Sequence, residues 1–388
     1  MGLSRRCPDP ARLDGKEMAM RALIAMSGGV DSSVAAKRMV DAGYDCIGCT
    51  MKLYSNEDAG ISRAHTCCSL DDVADARAVA YQIGMPFYVF NFQSEFEEKV
   101  IRKFVSSYLS GQTPNPCIDC NKYLKFGKLY DRARILGCDF IVTGHYARIE
   151  HDGHRYLLKK AFDPAKDQSY VLYEMTQELL AHTLFPLGAL TKAQTREIAE
   201  RSGFFNAKKH DSQDICFVPD GDYASVVALH AQRACPPGDF VDAAGRVLGR
   251  HKGVIHYTIG QHRKLGLSLP EARYVCKIDA ERNRVVLGAE SDLYANEIDI
   301  GACNWIAGDV PAGSFRCQVK IRYRQPEQWA TVTPTGTDTA HIVFDVPQRA
   351  PAPGQAAVCY DGDVVLGGGT IQTRASGLAL CSPVRYND

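Results

Sequence analysis

The stretch LIAMSGGVDSSVAA at residues 23–36 constrains the fold more than any other part of this chain. Leu23, Ile24 and Ala25 form an apolar run closed by glycines, which reads as a short buried strand ending in a turn. Gly28 and Gly29 carry no Cβ, so the backbone can turn tightly and come close to a ligand. From Asp31, DSSVAAKRMVDAG has helical spacing and stops at Gly43. Strand, glycine loop and helix start together make an anion site, since the loop amides and the helix dipole point at the same place. Ser27, Ser32 and Ser33 add more hydroxyls than a plain turn needs. The pattern G-x-x-x-x-G-K-S/T is absent, so this phosphate cradle is not that of a P-loop GTPase or kinase.

Beyond the loop, strand-like and helix-like segments alternate. YDCIGCTMKL, PFYVFNF and CDFIVTGHYA read as strands, and DDVADARAVAYQIG, SEFEEKVIRKFVSSYLSG and NKYLKFGKLYDRARILG as helices. Such alternation predicts an α/β domain with a parallel sheet covered on both faces, whose ligands bind outside the carboxyl ends of its strands. After about residue 220 the character changes. CPPGDFVDAAGRVLGRHKG reads as a small hairpin-containing module. The segments RYVCKID, NRVVLGA, RCQVKIRY, ATVTPTG, AHIVFDV and QAAVCYDGDVVLGGGTI then predict a small antiparallel barrel. A length of 388 residues accommodates two or three domains.

No apolar run approaches the roughly 20 residues of a membrane helix. The N-terminal segment has no apolar stretch after its arginines and reads as a tail, with Met18 or Met20 as alternative starts, so a cytoplasmic location is expected. The formal net charge is zero, so any nucleic-acid contact must come from local patches. NKYLKFGKLYDRAR and GRHKGVIHYTIGQHRK are locally basic with interleaved aromatics, as phosphate contact and base stacking require.

Fifteen cysteines, an odd number, do not suit a secreted disulfide framework. Cys46, Cys49 and Cys276 lie in apolar runs and are expected to be packed as small hydrophobes, and the pair Cys67–Cys68 to sit in a loop without a catalytic role. GQTPNPCIDCNKYLKFG is different. Pro114 and Pro116 predict a rigid loop before a helix that starts near Asn121, which would set Cys120 at a helix N-terminus with Lys122 and Lys125 close by, a placement that favours the thiolate. Cys117 and Cys120 are spaced C-x-x-C, and a half zinc site, two packed cysteines and a reactive pair all fit that spacing. Cys216 follows the polar run Asp211, Ser212, Gln213 and Asp214 and precedes Phe217; it is a partner for a reactive pair or a packed core thiol.

SGGVDSS, TPNPCIDCN, TGHYA, KDQSY and SQDICF occur in this order, and together they resemble the tRNA-specific 2-thiouridylases, members of the ATP pyrophosphatase (PP-loop) enzymes. GRVLGRHKGVIHYTIGQHRKLGL and KIRYRQ extend the likeness over nearly the whole chain past the tail, although GQHRKLG departs from the arginine-lysine-glycine order common in the family. The resemblance implies a disordered tail at 1–20 and an adenine nucleotide α-hydrolase-like catalytic domain at 21–220. A small tRNA-contacting central module at 221–290 and a C-terminal antiparallel β-barrel at 291–388 would follow.

The activity so implied is ATP-dependent replacement of a wobble-uridine oxygen by sulfur, with AMP and pyrophosphate as by-products. Ala25, Met26, Ser27, Gly28, Gly29, Val30, Asp31 and Ser32 would hold ATP, Asp31 helping to place Mg2+, with Met51 and Gly144 along the nucleotide. Cys216 would carry a persulfide, and Cys120 would attack or resolve it, leaving a disulfide between them. Asn115, Pro116 and Cys117 would meet the target base, and His145, Lys166, Asp167, Gln168, Arg322, Tyr323 and Gln355 the tRNA, expected to be a wobble-uridine tRNA for Lys, Glu or Gln. A cysteine desulfurase or sulfur-relay protein would supply the sulfur. Family members with Asn-Pro-Asp have an aspartate where this chain has Cys117, so Cys117, Cys120 and Cys216 could instead ligate an iron–sulfur (4Fe-4S) cluster. Three rival readings are a small-molecule PP-loop synthetase, a non-catalytic tRNA-binding protein and a redox or metal protein built on C-x-x-C. The first two have no use for Cys120 with Cys216, and the third none for the nucleotide loop.

Overall fold

The computed structural model describes residues 19–54, 70–209, 215–218, 221–231 and 234–373. The tail at 1–18, Cys67, Cys68 and the run Asp211–Asp214 lie outside the described residues. The first sheet is parallel and contains β1 (Arg21–Ala25), β2 (Asp45–Lys52), β3 (Phe87–Asn91), β4 (Phe140–Val142) and a two-residue strand, Thr183–Leu184, in the order β3-β2-β1-β4 and then the short strand. Ala22, Leu23 and Ile24 of β1 are fully buried, as a central strand covered on both faces requires. Helix α1 (Val30–Asp41) follows the glycine loop. Its Ser33, Val34, Ala35 and Ala36 bury completely, and these small side chains let it lie close to the sheet and to helix Lys192–Arg201. α2 (Leu70–Gln82) covers the sheet next to it, and Val79 and Ala80 are fully buried. The chain leaves β1 in one direction for β2 and passes to β4 on the other side, so the loops after β1 and β4 meet at the switch point where such sheets bind ligands.

The second sheet contains Gly238–Val241, Val247–His251, Tyr274–Asp279 and Arg284–Gly288, around Phe240, Val275, Val285 and Leu287. Six further strands run from Tyr294–Trp305 to Val364–Ile371, and pairing of this first and last strand closes them into an antiparallel barrel. The hairpin of Arg148–His151 and Tyr156–Lys159 follows the parallel-sheet strand β4 in the chain, yet it joins the barrel sheet through Lys159 opposite Val364. Arg148 and Lys159 both pair with Asp363 there.

The helix expected from about Asn121 begins earlier, at Pro116. Asn115 is its N-cap, with its Oδ1 accepting from the Cys117 amide at 3.2 Å. Proline is tolerated there because the amide it lacks would have no helical partner anyway. Cys120 therefore lies one turn inside the helical stretch 116–135, at the start of the π-helical turns Cys120–Lys128, a distortion often found at functional sites. Cys46 and Cys49 are buried as expected, while Cys276 is only half-buried. Burial pushes the Cys46 and Cys276 thiols up to about 11.

Candidate active site

The nucleotide loop is built by backbone geometry. Gly28 has φ +76°, and a Cβ there would lie 2.4 Å from the Asp72 carbonyl oxygen of α2. Ser32 Oγ accepts from the Ser27 amide at 3.1 Å, and the Ser32 and Ser33 hydroxyls donate to the Gly29 carbonyl at 3.1 and 3.0 Å. From far along the chain, buried Asn206 donates to the Gly28 carbonyl and the Ser33 hydroxyl at 3.1 and 3.0 Å. Gly144 closes the other side, where a Cβ would lie 2.9 Å from the Ser32 nitrogen. Ser27 to Ser32 and Gly144 are thus gathered in one place. Met26 has its side chain buried and its backbone used by the sheet, its amide donating to Cys49 and its carbonyl accepting from Thr50. Ala25 ends β1, and Met51 lies on neighbouring β2, opposite Phe90 of β3.

Gly28→Ala is expected to cost about 1–3 kcal/mol and to weaken ATP binding, because it adds left-handed strain to a clash with backbone. Thermal melting and ATP binding check this. Wild-type values in both would show that the loop tolerates a side chain.

Asp31, in the first turn of α1, accepts from the Tyr146 hydroxyl at 2.8 Å and pairs with Lys192 at 2.7 Å. Tyr146 belongs to the TGHYA segment after β4, whose three central residues serve three neighbours. Gly144 abuts the nucleotide loop. His145 Nε2 lies 3.4 Å from Lys125 Nζ of the π-helical turns, and Nδ1 lies 2.7 Å from the Thr143 hydroxyl. Burial, with the Lys125 ammonium adding to it, holds the His145 imidazole well below its usual range, so it is neutral at pH 7. Tyr146 exchanges backbone and side-chain hydrogen bonds with Gln168 at 2.9 Å each.

Helix Arg102–Leu109 brings the two cysteine segments together. Lys103 pairs with Asp119, next to Cys120, at 2.6 Å. Burial raises the Asp119 carboxyl against the opposing pull of Lys103. The adjacent Phe104 ring lies 5.2 Å from Phe217, next to Cys216, and Phe96 closes on the same ring at 5.6 Å. The Tyr54 hydroxyl donates to the Cys216 carbonyl at 2.5 Å. Cys120 and Cys216 consequently belong to one continuous apolar core, Cys120 8% exposed and Cys216 half-buried. Lys122 is engaged by Glu174 at 2.8 Å.

The segment 111–113, which leads into the helix start at Asn115-Pro116-Cys117, is clamped from two sides. Gly111 has no room for a Cβ against Ile278 of the second sheet. From the barrel, the Gln355 amide donates to the Thr113 carbonyl at 2.8 Å, and the Thr113 amide donates to Pro353. The Tyr323 hydroxyl donates to the Asp167 carbonyl at 3.1 Å. Partial burial raises the Tyr323 phenol, and Asp167 and exposed Cys117 add to the shift. Asp167 and Gln168 spend their side chains on the fold, Asp167 on Ala161 and Ser169, and Gln168 on Tyr146. Lys166 is half-buried beside them. Arg322 donates to the Ala350 carbonyl at 2.6 Å. Lys192, Lys209, Asn206 and the hydroxyl of Tyr146 were not expected from sequence. Only Tyr146, inside TGHYA, had a local signal.

A serine- and glycine-lined loop at the switch point of a parallel sheet defines the class: this is a PP-loop nucleotide-binding domain. Residues 20–220 match the tRNA methyl transferase HUP domain, 225–289 the tRNA methyl transferase PRC-barrel domain and 295–371 the aminomethyltransferase beta-barrel domain. The chain is 48% identical over 366 residues to tRNA-specific 2-thiouridylase MnmA of Symbiobacterium thermophilum, covering 92% of this chain and 93% of that protein. It is 49% identical over 357 residues to tRNA-specific 2-thiouridylase MnmA of Clostridioides difficile, covering 92% and 99%. The chain belongs to the tRNA-specific 2-thiouridylase family, and the enzyme is a tRNA sulfurtransferase. No helix among the described residues is long and apolar enough to cross a membrane.

Proposed function

We propose that the enzyme adenylates the C2 oxygen of a wobble uridine with ATP and then delivers sulfur from a Cys216 persulfide. The observation that carries this reading is the joint on helix Arg102–Leu109, where Lys103 and Phe104 anchor the Cys120 and Cys216 segments side by side. The uridine oxygen attacks the α-phosphorus as pyrophosphate leaves with the electron pair, which converts a poor leaving group into AMP. The terminal persulfide sulfur adds to C2 and AMP departs. Cys120 thiolate then attacks Cys216 Sγ, breaking its bond to the transferred sulfur. The products are 2-thiouridine and a Cys120–Cys216 disulfide, which an external dithiol reduces before a cysteine desulfurase or relay protein reloads Cys216.

The residues fit ATP. The loop from Ser27 to Ser33 is rich in hydroxyls and glycines at the start of α1, is packed against α2 at Gly28, and has two lysines close by. Asp31 is the carboxylate that would meet the Mg2+ accompanying the nucleotide, and in this structure its cation is Lys192. An iron–sulfur cluster fits less well. Among the described residues no three His, Cys, Asp or Glu side chains converge on a metal position, and Cys117 is exposed where Cys120 is buried. No step is derived through a cluster.

For tRNA, the segment 111–113, clamped just before Asn115, and the Tyr323 contact with Asp167 support base contact at Asn115, Pro116 and Cys117 and backbone contact from the module at 221–290 and the barrel at 291–388. Wobble-uridine tRNAs for Lys, Glu and Gln are the proposed substrates, and the cytoplasm is the compartment where such tRNA is met.

Protein purified without oxygen, assayed for iron and acid-labile sulfide and then for 2-thiouridine with ATP, Mg2+, unmodified tRNA and a sulfur donor, tests the proposal. Thiolation by iron-free protein is expected. Activity that rises and falls with bound iron would transfer the three cysteines to a cluster. Pyrophosphate release on a small acceptor alone would replace the tRNA reading by a synthetase.

A further inference from the structure

Two successive carbonyls of the nucleotide loop are turned into the protein, and they are held by different means. Gly29 O is held from within the motif, by the Ser32 and Ser33 hydroxyls and by the Ser33 amide at 3.2 Å. Gly28 O is met from 178 positions away, by Asn206 Nδ2 at 3.1 Å. Lys209 Nζ lies further from it, at 3.5 Å, and has its charge matched by Asp72 and Asp75. Asn206 stands in the turn after helix Lys192–Arg201, between buried Phe204 and Ala207. Arg196 fixes that turn by donating to the Ala207 and Lys209 carbonyls at 3.1 and 3.2 Å. A carbonyl only accepts, so the nitrogen of the Asn206 amide must face Gly28. Its Oδ1 then has no hydrogen-bond partner among the described residues, although Asn206 is only 3% exposed. An orphaned buried carbonyl is a cost that a leucine of similar volume would not carry. The amide is at this position for its donor.

We infer that Asn206 is a positioning residue for ATP, holding the Gly28–Gly29 peptide so that the Gly29 amide faces the pyrophosphate moiety. The inference rests on the ATP reading above and names the side chain that sets the loop for it. No described peptide bond is cis, so a carbonyl fixed on one side of the peptide plane sends the next amide to the other. Neither Gly28 nor Gly29 has a Cβ to resist rotation of this plane, so the local sequence leaves it free to flip. A flipped plane would present the Gly28 oxygen where the amide belongs, and repulsion from phosphate oxygens would replace a charge-assisted hydrogen bond. Asn206 Nδ2 also donates to Ser33 Oγ at 3.0 Å, in the first turn of α1. One side chain therefore fixes the loop and the helix start relative to each other.

Calorimetry of the full chain with inorganic pyrophosphate, a non-hydrolysable ATP analogue and AMP, each with Mg2+, tests this. Asn206→Leu is expected to weaken pyrophosphate and the analogue about tenfold, and AMP, which lacks the pyrophosphate moiety, by less than about twofold. Its melting temperature is expected within about 4 °C of wild type, because the lost donor and the removed orphan offset each other. A crystal structure of the wild-type protein with the analogue needs no variant. There the Gly28 carbonyl is expected to remain on Asn206, with the Gly29 amide within about 3 Å of a phosphate oxygen. Equal losses for AMP and pyrophosphate, or unchanged affinity for all three ligands, overturn the inference and leave the ATP reading standing. So does a complex in which the Gly29 amide misses the phosphates. Wild-type protein that binds neither pyrophosphate nor the analogue overturns both.

Discussion

Cys216→Ser is expected to eliminate thiolation, by about 1,000-fold or more, while tRNA-dependent pyrophosphate release in the first turnover stays within about threefold of wild type and AMP remains on the tRNA. Serine has nearly the size of cysteine but cannot carry a sulfane sulfur. Its segment is anchored through neighbouring groups: Phe217 is held between Phe96 and Phe104, and the Cys216 carbonyl accepts from Tyr54. Adenylation as proposed uses the other group of residues, around Gly28, Asp31 and Gly144, and is expected to be left intact. Mass analysis of nucleosides from the treated tRNA, run beside a pyrophosphate assay, separates the two halves. Thiolation that survives would remove Cys216 from the sulfur path, and loss of both halves would mean that Cys216 shapes the nucleotide site as well.

Asp31→Asn has the second large effect, on the other half-reaction. Pyrophosphate release is expected to fall about 100- to 1,000-fold, since the amide keeps the size of the carboxylate but loses the charge that holds Lys192 and that is proposed to meet Mg2+. Stability should fall as well, by about 1–2 kcal/mol, because the largely buried Lys192 ammonium loses the Asp31 charge, while Asp31 itself is one-third exposed. Melting and kinetics must therefore be measured on the same preparation. A variant that releases pyrophosphate at the normal rate would refute the role of Asp31 in the nucleotide site.

Which features were legible in the chain follows from the range over which they are encoded. The strand, glycine loop and helix of residues 23–41 depend on neighbours a few positions apart, and the structure has them where spacing and glycine placement put them. The start of the Cys120 helix was misplaced because Pro114 and Pro116 read alike in sequence. Only the capping bond from Asn115 reveals that Pro116 is the first helical residue, where a missing amide costs nothing.

By itself, then, the sequence determined the parallel nucleotide-binding sheet, the cysteines at 117, 120 and 216 and the strands of the barrel, all of which rest on local periodicity and turn chemistry. The tertiary structure decided what those parts do together. Lys192 reaches Asp31 across 161 positions, and Gln355 reaches Thr113 across 242. Lys103 and Phe104 join two cysteine segments that are far apart in the chain, and the hairpin 148–159 crosses into the barrel sheet. No window of neighbouring residues distinguishes a lysine aimed at a carboxylate on another helix from one aimed at water. The difference is made when the sheet brings the ends of β1 and β4 to the same edge.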